Sequence, residues 1–257
     1  MQNLENPFTP ESRKPKRSLT ELFRRGKKED GENEIDKALK EALSAAKAVK
    51  ERRNEKDAER QRIEDLFDTE LSDQAYTCIQ SLIKIGYSDE KLLEVIKIED
   101  EEIHDLDLSG LTSAEHLTLP KSIGGHLDLR GLTSAEHLTL PGSIGGYLAL
   151  EKLTSAEHLT LPKSIGGYLD LSGLTSAEDL TLPDFIGRDL YLNELTSAEH
   201  LTLPKSIGGS LILSGLTSAE HLILPNSIGE GLGLSGLSDD EKEKLRERYP
   251  QHTDKIK

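Results

Sequence analysis

Leucines recur along the chain at a fixed interval. Seven of them lie 21 residues apart, at Leu111, Leu132, Leu153, Leu174, Leu195, Leu216 and Leu237. Six copies of one unit lie between them, typified by residues 153–173 with the sequence LTSAEHLTLPKSIGGYLDLSG. A sustained period near 21 residues is typical of a stacked repeat. The pattern therefore predicts a solenoid.

Within each unit, leucines alternate with polar residues over two stretches, EHLTLP and YLDLSG. Alternation of this kind is typical of a short strand with one buried face. The LxL pairs follow one another at steps of 11 and 10 residues, so each coil is predicted to carry two extended segments. In one coil, the residues expected to point inward are Leu127, Leu129, Leu132, Ala135, Leu138, Leu140 and Ile144. The TSAE segment, for example Thr133 to Glu136, matches a capping box and predicts a short helical turn.

The repeat pattern extends one coil towards the N-terminus. Ile96 and Ile98 fall where an LTL pair is expected, and Leu106 and Leu108 fall where an LDL pair is expected. The sequence EDEEIHD replaces PKSIGG there, which predicts a modified first coil. The solenoid is therefore predicted over residues 96–237.

Four segments flank the predicted solenoid. Residues 1–34 are rich in charge, proline and glycine and are predicted to be a disordered tail. Residues 35–67 are predicted to form one long charged helix, and 68–95 a helical cap that covers the open end of the solenoid core. Residues 238–257 are predicted to be a C-terminal capping helix and tail, because SDDE at their start is a capping box.

The long helix carries a short apolar stripe, formed by Ile35, Leu39, Ala42, Ala46 and Val49. This stripe covers two heptads, whereas a coiled coil normally needs three or four. A solvated spacer helix and a weak homodimer through residues 35–67 are both compatible with the pattern.

Composition narrows the class of protein. The formal charge is −15, which argues against specific nucleic-acid binding by the whole chain, and no apolar run is long enough for a transmembrane segment. The single cysteine and the lack of an apolar N-terminal signal favour a cytoplasmic location, with non-classical secretion as the alternative.

Residues 13–28, RKPKRSLTELFRRGKK, are basic. They are interpreted either as a contact for lipid, nucleic acid or an import receptor, or as a solubilising tail.

The segment LTSAEHLTLPKSI resembles the leucine-rich-repeat consensus LxxLxLxxNxL, and LPxSI is similar to its shorter bacterial variants. IGGYLDLSG also resembles bacterial and phage solenoid repeats of the type LPxxLxxGGxLxL. The resemblance covers about residues 96–237 and implies a bacterial repeat protein. Alanine takes one leucine position, as at Ala135, and no asparagine column exists. We therefore expect an α+β repeat fold: a flat, two-sided, leucine-rich-repeat-like parallel β-solenoid with a helical N-terminal cap and a C-terminal capping helix.

Stacking would convert repeated residues into columns. One column consists of His116, His137, His158, His200 and His221, interrupted by Asp179. It is interpreted either as a metal-binding or acid-sensing ladder or as a solvated rim. Because no short-range histidine pair supports a metal, we predict no metal site and no cofactor.

The copies differ most around the second LxL pair. The residue before it is His126, Tyr147, Tyr168, Asp189, Ser210 or Gly231, and the residue within it is Asp128, Ala149, Asp170, Tyr191, Ile212 or Gly233. Both positions are expected to face outward from one sheet. Tyrosine is enriched at interface centres. The predicted protein-binding patch therefore consists of Tyr147, Tyr168, Asp170, Asp189, Tyr191 and Ile212.

No set of residues suggests catalysis, because nearly every histidine and glutamate of the repeats is a copied position. The prediction is a non-catalytic scaffold, not an enzyme, that binds an unidentified protein through the variable outer face. Two alternatives stay open, a structural spacer and a host-directed bacterial effector. In both of them the basic tail and the long helix would be the working parts.

Overall fold

The computed structural model describes residues 34–256. The tail predicted over residues 1–34, except Glu34, and the basic segment 13–28 lie outside the described residues. The described residues divide into two units, with the boundary between Ala58 and Glu59. Helix α1, Glu34–Phe67, begins in the first unit and ends in the second. Within the first unit, the side chains of residues 36–58 are exposed.

The second unit is a parallel β-solenoid of about six turns with the 21-residue period predicted from the sequence. One sheet has eight strands: β1 (Ile96–Glu99), β2 (Glu102–Asp107), β4 (Leu127–Asp128), β6 (Leu148–Ala149), β8 (Leu169–Asp170), β10 (Leu190–Tyr191), β12 (Leu211–Ile212) and β14 (Leu232–Gly233). The other has six: β3 (Ser122–Ile123), β5 (Ser143–Ile144), β7 (Ser164–Ile165), β9 (Phe185–Ile186), β11 (Ser206–Ile207) and β13 (Ser227–Ile228). Aliphatic side chains from both sheets fill the core between them.

The second strand of each coil lies further along the chain than predicted. The LTL stretches form no paired strand among the described residues, and leucines such as Leu138 and Leu140 are only half-buried. The following Ser–Ile pairs build the six-stranded sheet instead. A proline ends each LTLP stretch, and proline has no N–H to donate to a ladder. Alternating leucines alone do not reveal this difference.

The predicted first coil is confirmed at Leu106, which pairs in parallel with Leu127, but it is wrong at Ile96 and Ile98, because residues 96–107 form an antiparallel hairpin. Ile96 pairs with Leu106, and Ile98 pairs with Ile103. Asp100 and Glu101 in the connecting turn have φ angles of 50° and 67°, as a two-residue hairpin turn requires. β2 then pairs in parallel with β4, so the hairpin supplies the first edge of the eight-stranded sheet.

The TSAE segments do not form helical turns, so the capping-box interpretation of them is wrong. In the coil that contains Ala135, the Leu138 N–H donates to the Ala135 carbonyl at 3.0 Å and closes a β-turn. His137, inside that turn, has a φ of 63°, and this left-handed conformation stops a helix from starting. Ser134, not Thr133, accepts the hydrogen bond from the Glu136 N–H, at 3.1 Å.

Three short helices flank the coils, namely α2 (Asp73–Lys84), α3 (Asp89–Val95) and α4 (Asp239–Arg248). α2 ends shortly before Gly86, which has a φ of 103°, and the capping box predicted at Ser238 is present. No helix among residues 34–256 is long and apolar enough to cross a bilayer.

Side chains of the N-terminal cap bond to the first coil. Ser81 Oγ accepts the Thr118 N–H at 3.1 Å, and Gln74 Oε1 accepts the Lys121 N–H at 2.8 Å. The Lys121 bond replaces one that inner coils make to the preceding coil, as the Gly142 N–H does to the Lys121 carbonyl at 2.8 Å.

The C-terminal segment replaces a further coil in the same way. The Lys255 carbonyl accepts the Leu232 N–H at 3.0 Å, and the Lys255 ammonium donates to the Ile228 carbonyl. In the inner coils a glycine N–H makes the latter bond, for example Gly229 N to Ile207 O. Buried His252 adds a bond between Nε2 and the Pro225 carbonyl at 2.7 Å. Both ends of the solenoid are therefore closed.

Candidate functional site

The outer face of the eight-stranded sheet carries the two variable positions of each coil. Residues two apart on a strand point to the same side, so the residue before each LxL pair and the residue within it share this face. The leucines between them point into the core and are fully buried, as at Leu148 and Leu169. The parallel register aligns equivalent residues of successive coils, for example Ala149 with Asp170.

Four rings on this face are in continuous contact. The ring centroids of His126 and Tyr147 are 4.2 Å apart, and those of Tyr147 and Tyr168 are 4.6 Å apart, with interplanar angles of 15° and 6°. Tyr191 meets Tyr168 edge-on at 5.9 Å and 84°. Neighbouring parallel strands lie about 4.8 Å apart, close to the stacking distance of the rings. We call His126, Tyr147, Tyr168 and Tyr191 the aromatic ladder.

The tyrosine hydroxyls of the ladder are held in the protonated form. Partial burial raises the pKa of Tyr168 to about 12, and the neighbouring Tyr147 hydroxyl adds to the effect. Partial burial and the Asp128 carboxylate raise the pKa of Tyr147 as well. At neutral pH these phenols are therefore hydrogen-bond donors.

Asp189 orients Tyr191 and also bonds to the next coil. The Tyr191 hydroxyl donates to Asp189 Oδ2 at 3.2 Å, and the Ser210 N–H donates to Asp189 Oδ1 at 2.6 Å. Burial first and the Asp189 charge second raise the pKa of Tyr191. Asp189 thus has an internal structural role beside its place in the predicted patch.

The same type of side-chain bond recurs at the N-terminal end of the ladder. Asp105 Oδ1 accepts the His126 N–H at 2.7 Å, and His126 Nδ1 accepts the Tyr147 N–H at 3.1 Å. Because Nδ1 accepts, the proton of the neutral imidazole lies on Nε2. The orientation of His126 is thereby fixed.

The other two predicted patch residues flank the ladder. Asp170 pairs with Tyr191 across the strands, and its Oδ1 accepts the Ser172 N–H at 2.9 Å. Ile212 is half-buried next to Tyr191. The structure thus brings all six predicted patch residues onto one face, with the three tyrosines in contact.

Three residues of this face lie outside the predicted patch, although two of them, His126 and Asp128, occupy the positions expected to face outward. His126 extends the ladder, and its position 21 residues before Tyr147 was a usable signal. Asp128 is 4% exposed and binds the Arg130 guanidinium, with Nε at 2.9 and 3.0 Å from its two oxygens. This carboxylate raises the pKa of Arg130. No spacing in the sequence indicates that pair.

A groove of about 430 Å³ lies at the N-terminal end of the ladder. Helix α3 and strands β1, β2 and β4 contribute to its walls, together with Tyr147, which precedes β6. It is lined by Leu93, Glu94, Val95, Ile96, Lys97, Asp105, Leu106, Asp107, His126, Asp128 and Tyr147. We call it the N-terminal groove.

The histidine column occupies the left-handed position of each coil's β-turn, and Asp179 occupies the same position with a φ of 60°. Histidine and aspartate are among the residues enriched in this conformation, which explains both the column and its interruption. The imidazoles are exposed, and each Nε2 lies 3.5–3.7 Å from the preceding glutamate. Over residues 34–256, no group of three or more histidine, cysteine, aspartate or glutamate side chains is placed to hold a metal ion.

The thiol of Cys78 is fully buried in the cap, and burial raises its pKa to about 12. A thiol in this state is a poor nucleophile. Compared with family models, with curated proteins and with solved structures, the chain matches none of them.

Proposed function

We propose that this chain is a non-catalytic repeat scaffold that binds another protein through the outer face of the eight-stranded sheet. The observation that carries the proposal is the aromatic ladder: four rings in contact, on the face where the copies differ. Interface centres favour tyrosine because it buries a large area at low entropic cost. Repeat scaffolds generally bind along such extended surfaces.

The opposite sheet supports this choice of face by contrast. Its outward positions are mostly serine and glycine, and Phe185 is the large exception, 50% exposed. A surface of small residues buries little apolar area, and burial drives association. Phe185 therefore supplies a control position, because its side chain is close in size to a tyrosine and lies on the opposite sheet of the same protein.

The test compares three full-length proteins in a pull-down from source-organism lysate, read by mass spectrometry. They are the wild type, a variant with Tyr147, Tyr168 and Tyr191 changed to Ser, and the control Phe185→Ser. Circular dichroism and denaturant unfolding first establish that all three fold alike. We expect a partner that the wild type and the control retain and the triple variant loses.

A partner retained by the triple variant would contradict the proposed site. The spacer alternative makes a different prediction, since a spacer needs no partner on its coils. If none of the three proteins retains a partner, the spacer with the basic tail and the long helix as working parts becomes the better account.

A further inference from the structure

The N-terminal groove carries more carboxylates than cations. Four acids and one base line it, namely Glu94, Asp105, Asp107, Asp128 and Lys97. The Lys97 ammonium is already engaged, at 2.7 Å from Glu99 and 3.8 Å from Asp105. Two cations next to the groove are also paired, Lys91 with Glu94 at 3.0 Å and Arg130 with Asp128. With Glu99 included, five carboxylates therefore face three cations, and the groove is electronegative.

Asp107 is the acid best placed to meet an incoming cation. It is exposed, and no cation of residues 34–256 lies within ion-pair distance of it. Its Oδ1 accepts the Ser109 N–H at 2.9 Å. Partial burial raises its pKa, but the hydrogen bonds from Ser109 and, after them, the nearby charges of Arg130 and Lys91 lower it, so that the net pKa is lowered. Asp107 is therefore charged at neutral pH.

The remaining walls are apolar and aromatic. Leu93 of α3 is 50% exposed beside the groove, with Val95 and Ile96 behind it. The first two residues of the ladder, His126 and Tyr147, form another wall. Lysine and arginine side chains place an apolar stem on such surfaces while the charged head meets carboxylates.

We propose that the N-terminal groove receives an arginine or lysine side chain of a basic segment in the partner protein, and that this segment continues along the aromatic ladder. The inference rests on the proposed function and names the chemistry of the partner. Charge complementarity carries it, because opposite potentials across an interface steer encounter and fix register.

A carbohydrate is the competing kind of ligand for an aromatic row with carboxylates. Sugars stack on open ring faces, whereas Tyr147 has His126 on one side and Tyr168 on the other at stacking distance. The stacked rings of Tyr147 and Tyr168 present ring edges and hydroxyl donors instead. These features favour a peptide over a sugar.

The test selects binders for the immobilised full chain from a displayed random-sequence peptide library. Enriched peptides are then synthesised and their affinities measured by calorimetry against the wild type, Asp107→Asn, the variant with Tyr147, Tyr168 and Tyr191 changed to Ser, and the control Asp184→Asn. The amide oxygen that Asp107→Asn introduces can still accept the Ser109 N–H, so this variant removes charge and keeps the turn. Asp184 is exposed on the proline-bearing side of its coil, away from the groove.

We expect enriched peptides to share an arginine or lysine. Their affinity should fall roughly ten-fold with Asp107→Asn, the loss expected for one charge-assisted contact, and should not change with Asp184→Asn. Replacing the peptide arginine by neutral citrulline, or lysine by norleucine, should give a similar loss.

Two other results would overturn the inference in different ways. Peptides that need the tyrosines of the ladder but no basic residue would reject the cation site and leave the proposed function standing. If no enriched peptide depends on either Asp107 or the tyrosines, both proposals fail. A glycan array screened with the same protein would show whether a sugar binds instead.

Discussion

The most constrained backbone position of each coil is the residue after the TSAE segment. Six residues, five histidines and Asp179, adopt φ angles of 60–65° there. A side chain with a Cβ costs about 1–2 kcal/mol in this region, and β-branched residues fare worst. Histidine and aspartate occupy this position because it is exposed to solvent and left-handed, and both residue types are enriched in that conformation.

At the residue scale we therefore predict opposite effects of two substitutions at His137. His137→Gly should keep or slightly raise the free energy of unfolding, because glycine adopts positive φ without strain. His137→Val should lower it by about 1–2 kcal/mol. Denaturant unfolding of both variants measures the difference. Equal stability of the two would show that the turn does not constrain this position.

Tyr168 gives a prediction about alkaline pH. Its folded-state pKa of about 12 lies above the usual value of about 10 for tyrosine, so the unfolded chain releases this proton at lower pH. The stabilising contribution is complete below about pH 10 and disappears as pH rises towards 12. Phenolate absorption should show a late-titrating tyrosine that Tyr168→Phe removes. A wild-type titration without that late step would contradict this assignment.

At the scale of elements, the turn between the two sheets depends on a column of glycines in close contact. A Cβ placed on Gly166 would overlap the carbonyl oxygen of Gly145 in the preceding coil. Gly142 sits in the same coil as Gly145, but a Cβ there would lie 3.6 Å from the Lys121 carbonyl, an ordinary contact. The need for glycine therefore differs between neighbouring positions.

Gly166→Ala should accordingly destabilise the protein by about 2–3 kcal/mol or more, since the backbones must separate. Gly142→Ala should change the free energy of unfolding by less than about 0.5 kcal/mol. Thermal and denaturant unfolding of the pair provide the measurement. A tolerated Gly166→Ala would mean that the coils are not packed as closely as described.

The elements show which features the sequence could predict. The period, the two sheets and the tyrosine contacts follow from spacing, because stacking at 21 residues aligns equivalent positions. The strands at Ser–Ile could not be distinguished from the LTL stretches, since both alternate and only the proline differs. The N-terminal groove was beyond reach, because it requires α3 to bring Glu94 next to β2. This tertiary contact involves a residue outside the repeats, so the 21-residue spacing gives no information about it.

At the scale of the whole molecule, the two caps and the inner coils have separable roles. The caps bond to terminal coils through side chains such as Ser81 and Lys255, whereas inner coils bond to one another mostly through backbone groups, with some added side-chain bonds such as that from the Ser210 N–H to Asp189. In repeat proteins, stability is close to a sum over units and their interfaces. Removing one inner coil should therefore preserve the fold, and removing a cap should not.

Two deletions test this. Deletion of residues 195–215 should leave a folded, soluble protein with cooperative unfolding and reduced stability, because Leu216 then takes the register of Leu195. Deletion of 238–257 exposes the last coil and should cause aggregation or loss of cooperative unfolding. Circular dichroism and size-exclusion chromatography provide the readout. A soluble, cooperative protein without its C-terminal segment would show that the segment is dispensable.

The contacts of Lys255 also bear on how such a chain changes over generations. Its ammonium takes the place of the glycine N–H that donates between successive inner coils. The terminal residues therefore fit onto the last coil whatever the number of coils before it. Unequal recombination between near-identical copies would then add or remove whole coils without disturbing either end. Descendant chains should consequently differ in length by multiples of 21 residues, with the first and last segments retained.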